Sequence, residues 1–230
     1  MNSVKRALSA TVFLLLAEMT FSIDFIYFAA WIGNVEIIDA KIREGVGITP
    51  DASGTTALHL AVWNMHDDVV NYLLHTRDIK TWVSAQNQDL YSALHLATWN
   101  DDGGMIKRLL EAGAKISVQD RNGLTPLHWA ARHGNIEAIR VLISSGADID
   151  IRDKQGWQPI HQAEIHGQPV AMGILSQARM KRVEEIDTRR AQVGPTARMG
   201  SRENGSANSH PGEPPKNDGS QKVRVTGKAI

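Results

Sequence analysis

The chain has 230 residues and a formal charge of zero, with 25 basic residues against 25 acidic ones. That balance argues against a nucleic-acid or polybasic membrane-surface partner, each of which needs a concentrated positive face. Cysteine is absent, which excludes disulfides, thiolate catalysis and sulfur-rich metal sites.

The first stretch, MNSVKRALSATVFLLLAEMTFS, opens with Lys5 and Arg6, continues as an apolar run from Ala7 to Ala17, and ends among the small residues Ala17, Thr20 and Ser22. This is the layout of a secretory signal peptide over residues 1–22. Two other readings stand beside it. One is an apolar helix packed on the first helical unit downstream; the other is an uncleaved membrane anchor, although Glu18 and Asp24 cut the run short of the roughly 20 apolar residues a span requires. Counting back from Tyr27 starts the first helix of the downstream domain at Asp24, so cleavage near Ser22 leaves that domain intact.

Residues 23–192 read as a succession of two-helix units. The first, FAAWIGNVEII, closes at Gly45, and a turn from Asp51 to Gly54 leads into the second, Thr55 to Leu74. The connection from His75 to Tyr91 is the longest, and a distorted or protruding finger is expected there. In the third unit Gly103 and Gly104 open the second helix and weaken it by about 1 kcal/mol each relative to alanine. The fourth unit, Asp120 to Gly156, is the clearest. A turn spans Asp120 to Gly123, Thr125 can cap a helix with Pro126 at its first position, and Gly134 ends that helix. A second apolar run with Ile136, Ile139 and Leu142 comes next, closed by Gly146 in a left-handed conformation. The fifth unit ends its second helix with Val170, Met172, Ile174 and Leu175. Ser176 to Gln192 is mostly polar, with Met180, Val183 and Ile186 spaced by three. It reads as a continuation of the last helix that caps the array, with a coiled-coil partner helix as the alternative. Residues 193–230, rich in Gly, Ser, Asn and Pro, read as a disordered tail.

The units are copies of one another. His128 of TPLH recurs 33 residues later as His161 and 33 earlier as His95, and His59 lies 36 before that, so three residues are inserted. Leu58, Leu94, Leu127 and Ile160 precede these histidines, and Ala61, Ala97, Ala130 and Ala163 stand two places after. Tyr27 takes the His place in the first copy. The pattern resembles the ankyrin repeat, with its T-P-L-H-x-A signature and period of about 33 residues. The resemblance covers Asp24 to about Leu175. It implies an all-α solenoid of stacked helix-turn-helix units with β-turn fingers. Departures fall at Arg77, where a closing Gly is usual, and at Asn87 and Leu90, where Asp and Gly are usual.

Four regularly spaced histidines also invite a metal or catalytic reading. The resemblance implies instead that His59, His95, His128 and His161 join neighbouring repeats by hydrogen bonds to backbone. His133 and His166 lie five residues after a frame histidine, whereas a two-His zinc motif on one helix needs four. Asp67, Asp68, Asp101 and Asp102 sit at the openings of second helices, where negative charge is favoured without any catalytic role. No phosphate-cradling loop or nucleophile elbow occurs, and no catalytic residue, metal or cofactor is expected.

One column departs from a purely structural pattern. Four places after the frame residue stand Trp31, Trp63 and Trp99, then Arg132 and Ile165. The resemblance places this column on the exposed inner face of the first helices, as a tryptophan ladder. The neighbouring column adds Asn64, Asn100, His133 and His166, and the fingers add Tyr91, Leu124 and Trp157. Trp, Tyr and Arg dominate interface energetics, at about 2 kcal/mol each when desolvated. The alternative is that the indoles fold down as packing between repeats. The function expected is a non-catalytic module binding a protein partner through Trp31, Trp63, Asn64, Tyr91, Trp99, Asn100, Leu124, Arg132, His133 and Trp157. Similar bacterial proteins with a signal peptide and about five repeats inhibit or assist periplasmic partners; a monomer is expected, exported and, if the host is bacterial, periplasmic. A membrane-anchored adaptor is the alternative.

Overall fold

The computed structural model describes residues 22–76 and 79–192; the expected signal peptide up to residue 21, Arg77 and the expected tail from residue 193 lie outside the described residues. Helices come in pairs. Repeat one holds α1 (Ser22–Ile32) and α2 (Val35–Arg43), repeat two α3 (Ala57–Trp63) and α4 (Asp67–Leu74), and a short α5 (Ile79–Trp82) comes after. Repeat three holds α6 (Ala93–Trp99) and α7 (Gly103–Glu111), repeat four α8 (Pro126–His133) and α9 (Ile136–Ser144), and repeat five α10 (Pro159–Ile165) and α11 (Pro169–Gln192). Apart from an isolated antiparallel bridge between Gln86 and Ser92, the described residues form no β-structure.

Helices of seven to eleven residues are too short to persist alone, so each repeat is stable only against its neighbours. The first helices α1, α3, α6, α8 and α10 pack one on the next. They approach closely because Ala61, Ala97, Ala130 and Ala163 are fully buried at the contacts. The second helices supply the bulk: Ile38, Val69, Leu73, Ile106, Leu109, Ile139 and Leu142 are each at most 1% exposed. This is the all-α solenoid expected from the repeat pattern.

Each first helix ends on a residue in the left-handed region, at Gly33, Met65, Asp101, Gly134 and Gly167. A side chain there costs about 1 kcal/mol. At Asp101 the cost is offset, because its carboxylate accepts from the Ala138 amide at 2.8 Å and so caps α9 of the next repeat. At Met65 nothing comparable is returned, since φ is 56° and the side chain is 62% exposed. Met65→Gly is therefore expected to raise the unfolding free energy by about 0.5–1 kcal/mol, read from the urea midpoint. A lowered midpoint would show that the thioether makes a contact worth more than the strain.

The fingers share one device. Asp51, Asp120 and Asp153 each accept two backbone amides on Oδ1 and so close the turn. Asn87 does the same for Asp89 and Tyr91, and Leu90 adopts φ 61° where the other fingers carry Gly. The third finger keeps its geometry despite both substitutions. After Arg77 and Asp78, which lie outside the described residues, the long connection is distorted into α5, from which Ile79 packs on the core, and Val83, just beyond, is 2% exposed. Gly103 is also more than a weak point. It is buried, and a Cβ there would stand 2.8 Å from the Glu137 side chain, so its absence allows α7 to approach α9.

α11 continues unbroken past the last repeat to Gln192. Ala171 and Leu175 are buried, and Arg182 donates to Asp148 at 2.8 Å and to Asp150 at 3.4 Å. The hydrogen bond from Arg182 holds the Asp148 carboxyl below its usual range. Among the described residues no helix is long and apolar enough to cross a membrane.

Candidate partner-binding site

The frame histidines build the scaffold on which the candidate surface rests. His59, His95 and His128 are at most 2% exposed. In each, Nδ1 accepts the amide of the N-cap residue, Thr56, Ser92 or Thr125, at 3.2–3.3 Å. That fixes the proton on Nε2, which donates to a carbonyl of the next repeat: Tyr91 at 3.0 Å, Leu124 at 3.1 Å, Trp157 at 3.0 Å. Both nitrogens of all three rings are thus committed to backbone, as the resemblance implied. Burial pushes their pKa values down, that of His95 to about 4, so the rings are neutral at pH 7. His161, in the last repeat of the described residues, accepts the Gln158 amide at 3.3 Å and among those residues meets no carbonyl of a following repeat. Among the described residues no three His, Asp or Glu side chains converge as metal ligands would.

The tryptophan column lies in the last turns of the first helices, past the alanine face that packs against the next repeat. Trp31, Trp63 and Trp99 are 50%, 44% and 46% exposed, and Trp157 on its finger is 38% exposed. Trp31 and Trp63 make no ring contact among the described residues. Trp99 instead sets its edge against His133 at 4.3 Å and Trp129 at 5.9 Å. His133 is exposed and Arg132 half-buried. Desolvation, then the charge of Arg132 and the proximity of His166, lower the His133 pKa, so that it presents a neutral ring.

Beneath the indoles runs a second ladder that the repeat pattern of the sequence does not reveal. The carbonyls at the C-terminal ends of the first helices accept side-chain donors from the next repeat. Trp31 is met by His66 at 2.8 Å, Val62 by Asn100 at 3.0 Å, and Thr98 and Trp99 by Asn135 at 2.6 and 3.1 Å. These bonds set the spacing of the tryptophan row. The donors are two residue types at two different places in the frame, so no single column betrays them.

That ladder corrects several expectations. Asn100 is a stacking residue, and Asn64 donates to Leu60 of its own helix at 2.9 Å. Leu124 is only 4% exposed, because the finger turns its side chain into the core, which removes it from the candidate surface. Tyr91 is half-buried, with its ring 4.8 Å from that of Trp129. Trp129 itself was missed. It is 9% exposed, packs against Tyr91, His95 and Trp99, and donates from Nε1 to Asp120 at 3.0 Å. Gln162, at the same frame position 33 residues on, donates to Asp153 at 2.7 Å. The clue available in the sequence was this pairing, a polar N–H one place after the histidine and an aspartate opening the finger.

What remains open to solvent is a discontinuous apolar strip of Trp31, Trp63 and Trp99, with His133 beside it and Trp157 on a finger. It holds no acid-base pair and no enclosed cavity, and what it offers is flat aromatic area. A family model described as ankyrin repeats (3 copies) matches residues 1–85 and 94–183. No curated protein matches the chain significantly. With the capping boxes, the histidine bonds between repeats and a family match over most of its length, the chain belongs to the ankyrin repeat family.

Proposed function

We propose that the protein is a non-catalytic binding module that grips a protein partner on the face formed by its first helices and fingers. Ankyrin repeats are generally protein-protein interaction modules, and the family is typically non-catalytic. The observation that carries the reading is the exposure of three indoles, 44–50% each, in successive repeats. Leaving that much aromatic area in water is unfavourable unless a partner covers it, and indoles buried at an interface are where binding energy concentrates. Trp31, Trp63, Trp99, Arg132, His133 and Trp157 form the contact set. The layout of residues 1–22 supports export, with the partner then met outside the cytoplasm and, in a bacterium, in the periplasm.

Trp63→Ala and Trp31→Ala are each expected to weaken partner capture about tenfold or more while shifting the unfolding midpoint little. The check is quantitative capture of the partner from the native compartment, alongside urea denaturation. Unchanged capture with both variants would remove this face from the account. N-terminal sequencing of the chain made by its host tests export, for which a mature start near Ile23 is expected. An intact Met1 would favour the anchored alternative.

A further inference from the structure

Past Ala178 the last helix no longer adds to the core, yet it still carries large apolar side chains. Met180, Val183 and Ile186 are 68%, 53% and 45% exposed. At about 100° per residue, Met180 and Ile186 lie about 60° to either side of Val183, and Arg179 and Asp187 about 40° to either side. One face therefore holds three apolar residues bracketed by a cation and an anion. The opposite face is already occupied: Ala178, Lys181, Arg182 and Glu185 line the groove against α9, and Arg182 is bound to Asp148. Among the described residues neither Arg179 nor Asp187 makes an ion pair. Capping the solenoid explains the inner face of this helix and leaves the outer one without a role.

We propose that this outer face pairs with the same face of a second copy of the chain, antiparallel, about a twofold axis through Val183. The sequence of the stripe is self-complementary in that register. Val183 meets Val183 of the second copy on the axis, while Met180 meets Ile186 and Arg179 meets Asp187, these two pairs each twice by symmetry. A parallel arrangement would oppose Arg179 to Arg179 and Asp187 to Asp187, so charge selects the antiparallel one. The interface is small. Three apolar residues from each copy bury less than the roughly 1,200 Å² of a stable complex, so dissociation constants of about 10–100 μM are expected. The monomer expected from the sequence is then the dilute species. This dimer does not rest on the partner-binding reading, since none of its residues belongs to the tryptophan row.

The absence of native cysteine makes a direct test possible with the full chain. Val183→Cys places a sole thiol on the proposed axis, and oxidation or a short bis-thiol reagent should join two copies. Lys181→Cys, on the far side of the helix, should remain single under the same conditions. In sedimentation equilibrium Arg179→Asp and Asp187→Arg should each weaken self-association about tenfold or more, and the double variant should restore it. The proposal is overturned by a chain that stays monomeric to about 1 mM, by equal crosslinking at positions 181 and 183, or by a double variant as weak as the singles.

Discussion

Trp129→Ala is expected to destabilise the protein by about 3–4 kcal/mol, a far larger effect than loss of either Trp31 or Trp63. The six tryptophans divide by burial rather than by residue type. Trp129 fills the junction between repeats three and four, with ring contacts to Tyr91, His95 and Trp99. Truncation opens a cavity there and strips the buried Asp120 carboxylate of a donor at 3.0 Å. Trp129→Phe separates the two contributions, since it keeps an aromatic ring and loses the N–H; a loss of about 1–2 kcal/mol is expected. The measurement is urea denaturation, and the melting temperature of the alanine variant should fall by roughly 10 °C. If Trp129→Ala cost less than Trp63→Ala, the division into scaffold and contact indoles would be wrong. Trp99 falls between the groups. It is half-exposed but touches Trp129 and His133, so its replacement should lower both stability and partner capture.

Stability should also fall steeply in mild acid. Burial lowers the pKa values of His59, His95 and His128 in the folded chain, while unfolded histidines titrate near 6.5. Below that value the unfolded chain takes up protons that the folded chain refuses, so the unfolding free energy declines as pH falls and levels out only below the folded pKa. For His95, with its pKa at about 4, the loss between pH 7.5 and pH 5 is about 2 kcal/mol. His59 and His128 add to it in the same direction. Asp148, whose carboxyl is held low by Arg182, contributes in a separate window, below its ordinary pKa of 3.8. The check is the urea midpoint at pH 7.5 and at pH 5, with His95→Gln as a comparison that cannot titrate and should show a shallower slope. Equal midpoints at the two pH values would mean that the ring nitrogens are not held as neutral donors between repeats.

A period of 33 residues, a proline at the first helical position of repeats four and five and a glycine past several helix ends are local signals, and they sufficed for the repeat architecture. The role of the frame histidines was legible for the same reason: one residue type at one offset performs one task in three successive junctions. The carbonyl ladder under the indoles was not legible, because His66 and Asn135 reach it from one place in the frame as two residue types, and Asn100 reaches it from another. A hydrogen bond specifies where a donor atom arrives, and side chains of different length arrive there from different starting points.

The sequence by itself determined the succession of two-helix repeats and the column of tryptophans, since each depends on the propensities and spacing of residues close along the chain; it placed the start of the first helix at Asp24, where the structure begins it at Ser22, and did not foresee α5. Only the tertiary structure decided which members of that column and its neighbours meet water. Leu124 and Trp129 are covered, Asn100 is spent on the repeat before it, and Trp31 and Trp63 are left open. Burial depends on what the adjacent repeat brings over a residue, and that neighbour stands about 33 positions away in sequence, where no local pattern can report it.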